Sequence, residues 1–192
     1  MSAALQSPVQ VMKFTLTFFG ELPPSGNKPK PAAVWAIREQ FHPQIEELFA
    51  THPALRNGFA SRFLPPIAVQ GGSYRPLLRK AHDVICSVDI TFLRKEDPGQ
   101  LVKQDGDIDN RIKTLFDGLR MPNKGDAIPA GKPVFSPMCA LLEDDSLITG
   151  LSVKTDRLLG VPSGPPTWVY LLVEVRTSVS VVTMQNATFL GD

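Results

Sequence analysis

Alternation along the chain predicts its strands. In VMKFTLTFFG (11–20), Phe14, Leu16 and Phe18 fall on one side and Lys13, Thr15 and Thr17 on the other. HDVICSVDITFLR (82–94) repeats the pattern, with Cys86, Val88, Ile90 and Phe92 opposite Ser87, Asp89 and Thr91. LITGLSVKT (147–155) and WVYLLVEVRT (168–177) predict two more strands. The second is nearly all apolar, which suits a central place in a sheet. Helical spacing takes over in AAVWAIREQFHPQIEELFA (32–50), where Pro43 interrupts it, so one or two helices are expected. In IDNRIKTLFDGL (108–119), Ile108, Ile112, Leu115, Phe116 and Leu119 recur at the spacing of a buried helix face, and Gly118 and Pro122 mark its end.

Between these runs the chain is irregular. ELPPSGNKPKP (21–31) reads as an exposed loop, and 51–72, with Pro65-Pro66 and Gly71-Gly72, yields no element. The proline- and glycine-rich segment 121–142 reads as an insertion loop, and SVSVVTM (178–184) as an edge strand or a partner contact. The order of elements predicts an α+β fold, a small mixed β-sheet with helices packed on it, in a single domain over 1–192.

Composition changes this picture little. The chain is 43% hydrophobic and 20% charged, ordinary for a globular protein, and its 18 prolines fit the interrupted elements. A net charge of +1 gives no overall basic signature, so a polyanion partner has to be argued from local clusters. Cys86 and Cys139 lack metal-ligand spacing and read as buried thiols of a reducing compartment. The first thirty residues contain no basic stretch followed by an apolar run, and no segment approaches the ~20 apolar residues of a membrane span. A cytoplasmic location without membrane contact is expected.

The chemistry concentrates in QDGDIDNRIKTLFDGL (104–119), where aspartates crowd a helix start. Asp105, Asp107 and Asp109 imitate the opening of an EF-hand loop, but Asn110 stands where glycine is needed and Phe116 where a bidentate glutamate is needed. A bland alternative is a capped helix with a solvated Asp109, Lys113, Asp117 stripe. A second acidic group, Glu143-Asp144-Asp145, directly precedes a predicted strand. Carboxylates at the ends of adjacent elements can converge on a hard cation such as magnesium.

GDIDNRIKTLFDGL, followed by EDD and a strand, resembles the signature of RusA-type Holliday-junction resolvases, in which a D-x-D-N-x-x-K run opens a helix and a later Asp-Asp pair precedes a strand. FFGELPPSGNK resembles the first strand and PPS loop of that family. The likeness covers about 90 to 175 plus the amino-terminal strand and loop. It implies three metal-holding aspartates, Asp107, Asp109 and Asp145, with Lys113 as the fourth catalytic residue. The interval before EDD is longer than in compact members, and Asp126 within it is the rival for the third position.

The resemblance further implies a RusA-like fold, Mg2+ as cofactor, branched DNA (the four-way junction) as partner and paired phosphodiester hydrolysis by a homodimer. The carboxyl-terminal strand-like run and the amino-terminal apolar helix are the candidate dimer surfaces. Arg75, Arg79, Lys80 and Arg111 are candidate DNA contacts, although such charges are more often a solvated face. Asn110 and Asp117 are secondary candidates, the first as a cap and the second as a partner for Lys113. His42, His52 and His82 lack ligand spacing and read as structural, and Trp35 and Trp168 as core. Two alternatives remain: a non-cleaving branched-DNA-binding protein of the same fold, and a nuclease acting on other branched DNA.

Overall fold

The alternating runs assemble into one four-stranded sheet. The computed structural model describes residues 9–24, 30–56, 62–95, 108–132, 135–160, 168–179, 181–183 and 186. In chain order the elements are β1 (Val9–Glu21), α1 (Pro31–Thr51), β2 (Ile67–Val69), β3 (Gly72–Leu78), β4 (Val84–Arg94), α2 (Ile108–Leu119), β5 (Met138–Leu142), β6 (Ile148–Arg157) and β7 (Trp168–Val179). Short 3-10 turns at Lys80–His82 and Asp145–Leu147 precede β4 and β6.

The large sheet has the order β1-β7-β4-β6. β7 is antiparallel to both neighbours, and β4 runs parallel to β6. β7 therefore takes the central place that its apolar run predicts. Its inner residues Val169, Leu171, Val173 and Val175 are fully buried with Leu16, Phe18, Val88 and Phe92. Burying each such side chain contributes about 1.5–3 kcal/mol relative to exposure. Its other face is less covered: Trp168, expected in the core, is half-buried there and meets Phe19 edge-on at 5.1 Å. Ser178 and Val179 complete β7, so the strand-like run 178–184 forms no separate strand among the described residues, and Val181 and Val182 are exposed.

The architecture is α+β and mixed, but with two sheets rather than one. β2, β3 and β5 form a second, three-stranded sheet, with β3 parallel to β5. This corrects the loop expected at 121–142, because its end, Met138–Leu142, is a strand with every residue buried. Backbone bonds lock it: Met121 N–H donates to the Leu142 carbonyl at 2.8 Å and Glu143 N–H to the Leu78 carbonyl at 2.9 Å. Trp35, Tyr74, Met121, Met138 and Ala140 form a smaller core beside it.

α1 is a single helix through Pro43. Proline removes one backbone donor, but Phe41, Ile45 and Phe49 are buried in the main core on both sides of it. Gln40 and Gln44 turn from α1 to the edge of β1. Gln44 accepts the Thr17 N–H and donates to the Thr17 carbonyl, both at 2.8 Å, and Gln40 does the same for Phe19 at 3.1 and 3.0 Å. Two side-chain amides thus imitate a neighbouring strand. α1 also packs on α2, where a Cβ at Gly118 would lie 2.3 Å from Ile37 Cγ2. The glycine permits the close crossing of the two helices. Among the described residues no helix is long and apolar enough to cross a membrane.

Candidate metal centre

α2 begins where the helical spacing predicts, and its amphipathic face decides which polar side chains are free. Ile112, Leu115 and Leu119 are buried, which leaves Asp109 and Lys113 exposed one turn apart on the opposite side. Asp109 lies in the first turn, where a negative charge suits the helix dipole, and its Oδ1 accepts the Asn110 N–H at 2.7 Å. Asp107 lies outside the described residues.

The second acidic group follows β5 directly. Glu143 is tied to the preceding 3-10 turn, its Oε2 accepting the Lys80 N–H at 3.0 Å. Asp144 accepts the Ser146 N–H at 3.0 Å, capping the turn Asp145–Leu147, and pairs with Lys80 Nζ at 3.1 Å. The bonds from Ser146, followed by the Lys80 ammonium, hold its carboxyl down at about 2. Asp145 is exposed, and no hydrogen bond or ion pair engages its side chain among the described residues. The acidic triplet is therefore divided. Two members build the turn and the third projects from it.

α2 packs beside the turn that carries Asp145. The fold thus puts two of the three expected aspartates on adjoining elements, each exposed and, among the described residues, neither held by a guanidinium or ammonium. Among the described residues no three His, Cys, Asp or Glu side chains are grouped closely enough to hold a metal ion. The donor chemistry available, carboxylate oxygen open to solvent, is of the kind hard divalent cations take.

Asp126, the rival third ligand, serves elsewhere. Its carboxylate binds Arg120 at 2.8 and 3.1 Å and Arg38 at 3.2 Å. Burial, the largest single influence, raises its pKa, yet Arg120, the Asn123 N–H and Arg38 together outweigh it and hold the carboxyl below the usual range. Arg38, whose side chain is only 3% exposed, also donates to the carbonyls of Asp117 and Arg120. Asp117 accepts from Arg120 at 2.7 Å, so its role is to close the far end of α2 rather than to orient Lys113. That network joins α1, α2 and the following loop.

The four candidate DNA contacts separate by burial. Arg79 is buried, with its guanidinium donating to the carbonyls of Pro76 and Pro65, and burial lowers its pKa. Arg111 is 6% exposed and its Nε has no hydrogen-bond partner among the described residues. Arg75 is half-buried with Nε enclosed, and Lys80 is committed to Asp144. As placed, Arg79 and Arg111 offer no open guanidinium to a phosphate. The work of Lys80 in shaping the acidic turn is the part that sequence reasoning missed. No spacing signals it, because the partners lie 63 positions apart in the chain.

Two of the histidines, His42 and His52, are bonded within the fold. His42 is buried, its Nδ1 accepts the Cys139 N–H at 3.0 Å, and burial pulls its pKa down. His52 accepts the Ala54 N–H. Burial pushes the Cys86 thiol up to about 12 and the Cys139 thiol to about 11, so both are inert. No protein-family model, curated protein or solved structure matches the chain.

Proposed function

We propose that this protein is a magnesium-dependent endonuclease of RusA type that cuts branched DNA, with the four-way junction as its substrate. The observation that carries the reading is the pairing of α2 with the turn of Asp145, which presents Asp109 and Asp145 exposed on adjoining elements and without an ion pair among the described residues. A DNA-binding surface has no use for unneutralised carboxylates beside a polyanion unless a cation joins them. The division within the acidic triplet supports the same reading, since Glu143 and Asp144 fix the turn that Asp145 leaves.

Asp107, Asp109 and Asp145 would hold the metal, which supplies charge neutralisation at the phosphate and a more acidic bound water. Lys113, exposed one turn beyond Asp109, donates to the phosphoryl oxygens as negative charge grows on them. The buried face of α2 keeps Asp109 and Lys113 in fixed relation, so both groups meet the scissile phosphate together. Resolution of a junction takes two such cuts, and a twofold pair of subunits supplies them. The cytoplasm, where DNA and magnesium meet, is the proposed location.

The test is cleavage of a labelled four-way junction with magnesium and with chelator, for the wild type and Asp109→Asn. Paired nicks that need magnesium and vanish in the variant are expected. Preferential cutting of forks or flaps would transfer the activity to other branched DNA, and binding without cutting would make the protein a non-cleaving junction binder. Neither binding nor cutting would leave Asp109 as a helix-capping residue, a role its bond to the Asn110 N–H already allows.

A further inference from the structure

A cavity of about 230 Å³ opens where the starts of β3 and β5 meet α1 and the loop after α2. Three aromatic side chains line it, Trp35, Tyr74 and Phe135, and Ile128 and Met138 extend the apolar wall. Each ring is fixed by a separate contact. Trp35 Nε1 donates to Glu39 Oε1 at 3.1 Å, and Phe135 meets the buried His42 edge-on with ring centroids 4.3 Å apart. Tyr74 is held by the pairing of β3 with β5, opposite Met138.

Polar groups join this wall from the turn between β2 and β3. Gln70 and Gly71 form that turn with φ of 49° and 76°, the paired left-handed geometry of a two-residue hairpin. Gln70 Nε2 donates to the carbonyls of Asn123 and Asp126 at 2.6 and 2.9 Å, which ties the turn to the loop after α2. Its Oε1 is left as an acceptor without a partner among the described residues. A Cβ at Gly72 would lie 2.6 Å from Tyr74 Oη, so the glycine gives the hydroxyl its place beside the turn. Tyr74 is 3% exposed, and no hydrogen bond engages its hydroxyl among the described residues. Buried hydroxyls are as a rule bonded, so an orphan one at a cavity wall marks where a polar atom of a ligand fits. Lys132 adds a positive charge. Its ammonium reaches Glu39 alone among the described residues, at 3.5 Å, and two of its three donors are left over.

We propose that this cavity takes one unstacked nucleobase, with the sugar and phosphate outside and the phosphate at Lys132. The volume is below the roughly 300–1,000 Å³ of pockets that enclose a drug-sized ligand. It therefore suits a single ring system whose remainder stays in solvent. Aromatic walls offer a flat ring the stacking and edge contacts that hold unpaired bases, and every base has a face for them. A hydrocarbon ring would leave Tyr74 and Gln70 unsatisfied, whereas the edge of a base carries both donors and acceptors. The charge of Lys132 suits an anion joined to that ring, which a nucleotide supplies. Met138 opens β5 and Asp145 follows its end, with about 13 Å of strand from Met138 to Leu142 at the ordinary rise. At ~3.4 Å per base step, a base in the cavity lies several steps from a phosphate at Asp145. The inference rests on the proposed function only for the strand to which the base belongs, and its test does not use cleavage.

Binding is read from Trp35 fluorescence in the full chain carrying Trp168→Phe, which removes the other of its two tryptophans. In the absence of magnesium, deoxyadenosine monophosphate should quench Trp35 saturably, and deoxyribose 5-phosphate should not. A five-nucleotide single strand with one adenine among abasic sites should bind on the order of tenfold more tightly than the same strand wholly abasic. Tighter binding of that strand than of the mononucleotide assigns the base to a nucleic acid, and equal binding assigns it to a free nucleotide. Tyr74→Phe removes only the hydroxyl and should weaken base binding about tenfold at unchanged thermal stability. Lys132→Ala should weaken the mononucleotide and leave deoxyadenosine unaffected. No quenching by mononucleotide or strand at concentrations on the order of 10 mM overturns the proposal. So does quenching that phenol reproduces with equal strength and Tyr74→Phe leaves unchanged, which would make the cavity a seat for an apolar side chain. Base binding that persists in a protein unable to cut DNA removes the nuclease reading alone, and cutting without base binding removes this one alone.

Discussion

α2 carries aspartates at both ends, and the two ends treat them in opposite ways. Asp117, in the last turn, and Asp126, in the loop beyond, are bonded to Arg120, and Asp126 also to the buried Arg38. Asp109, about 12 Å away along the axis at the ordinary helical rise, is exposed and touches no arginine or lysine among the described residues. One end shows carboxylates neutralised inside the fold, where they join elements. The other shows a carboxylate left charged in solvent, with Asp145 on the adjoining turn. Composition alone would count all of them together. Their partners separate the carboxylates that hold the fold from the one open to the proposed chemistry.

Removing a carboxylate from each end sharpens the contrast. Asp126→Ala leaves the buried Arg38 without a counter-charge beside Arg120, which keeps only Asp117, and it should lower unfolding free energy by about 3 kcal/mol, read from urea denaturation. Asp109→Asn keeps an acceptor for the Asn110 N–H and should move stability by less than about 0.5 kcal/mol while cleavage is lost. Equal destabilisation by the two variants would erase the distinction and make Asp109 a structural residue.

Gly118→Ala acts on the element that both ends share. The new methyl would fall 2.3 Å from Ile37 Cγ2, so α1 and α2 must separate or Ile37 must repack. A loss of about 2 kcal/mol is expected. Because the shift moves Asp109 relative to Asp145, cleavage should fall beyond what the lost stability explains. Full specific activity in the folded variant would show that the acidic elements do not depend on the seat of α2.

The parts of this arrangement legible in sequence are those with local causes. The alternation in β1, β4 and β7 follows burial of one sheet face, and the bounds of α2 follow its apolar stripe. β3 and β5 escape such a reading for a physical reason. β3 contains Pro76, and β5 is short, buried throughout and reached through a proline-rich segment, so neither shows alternation. Asp109 and Asp145 are visible as an acidic pattern. The reason Asp145 projects is not, because it depends on Lys80, whose contacts to Glu143 and Asp144 arise only when β3 and β5 pair. Likewise Arg79 and Arg111 read as surface charge until burial places them inside.

Acid titration probes the arginine-bound end of α2, with the smallest effect. Burial opposes the charge on Asp126, but Arg120 and Arg38 hold its pKa below the ordinary value near 3.8. For Asp144 the bonds from Ser146 and the Lys80 ammonium lower it to about 2. A carboxyl depressed in the folded state binds its proton more weakly there than in the unfolded chain. Its stabilising contribution is complete above pH ~4 and is lost as pH falls through the folded-state pKa. Thermal unfolding followed from pH 5 to pH 2 should therefore show falling stability in the lower part of that range. Asp126→Asn should flatten the decline more than Asp144→Asn, because the Asp144 side chain is 41% exposed and solvent screens its ion pair. A slope that Asp126→Asn leaves unchanged would mean that the arginine network at the far end of α2 does not hold that carboxyl below its ordinary range.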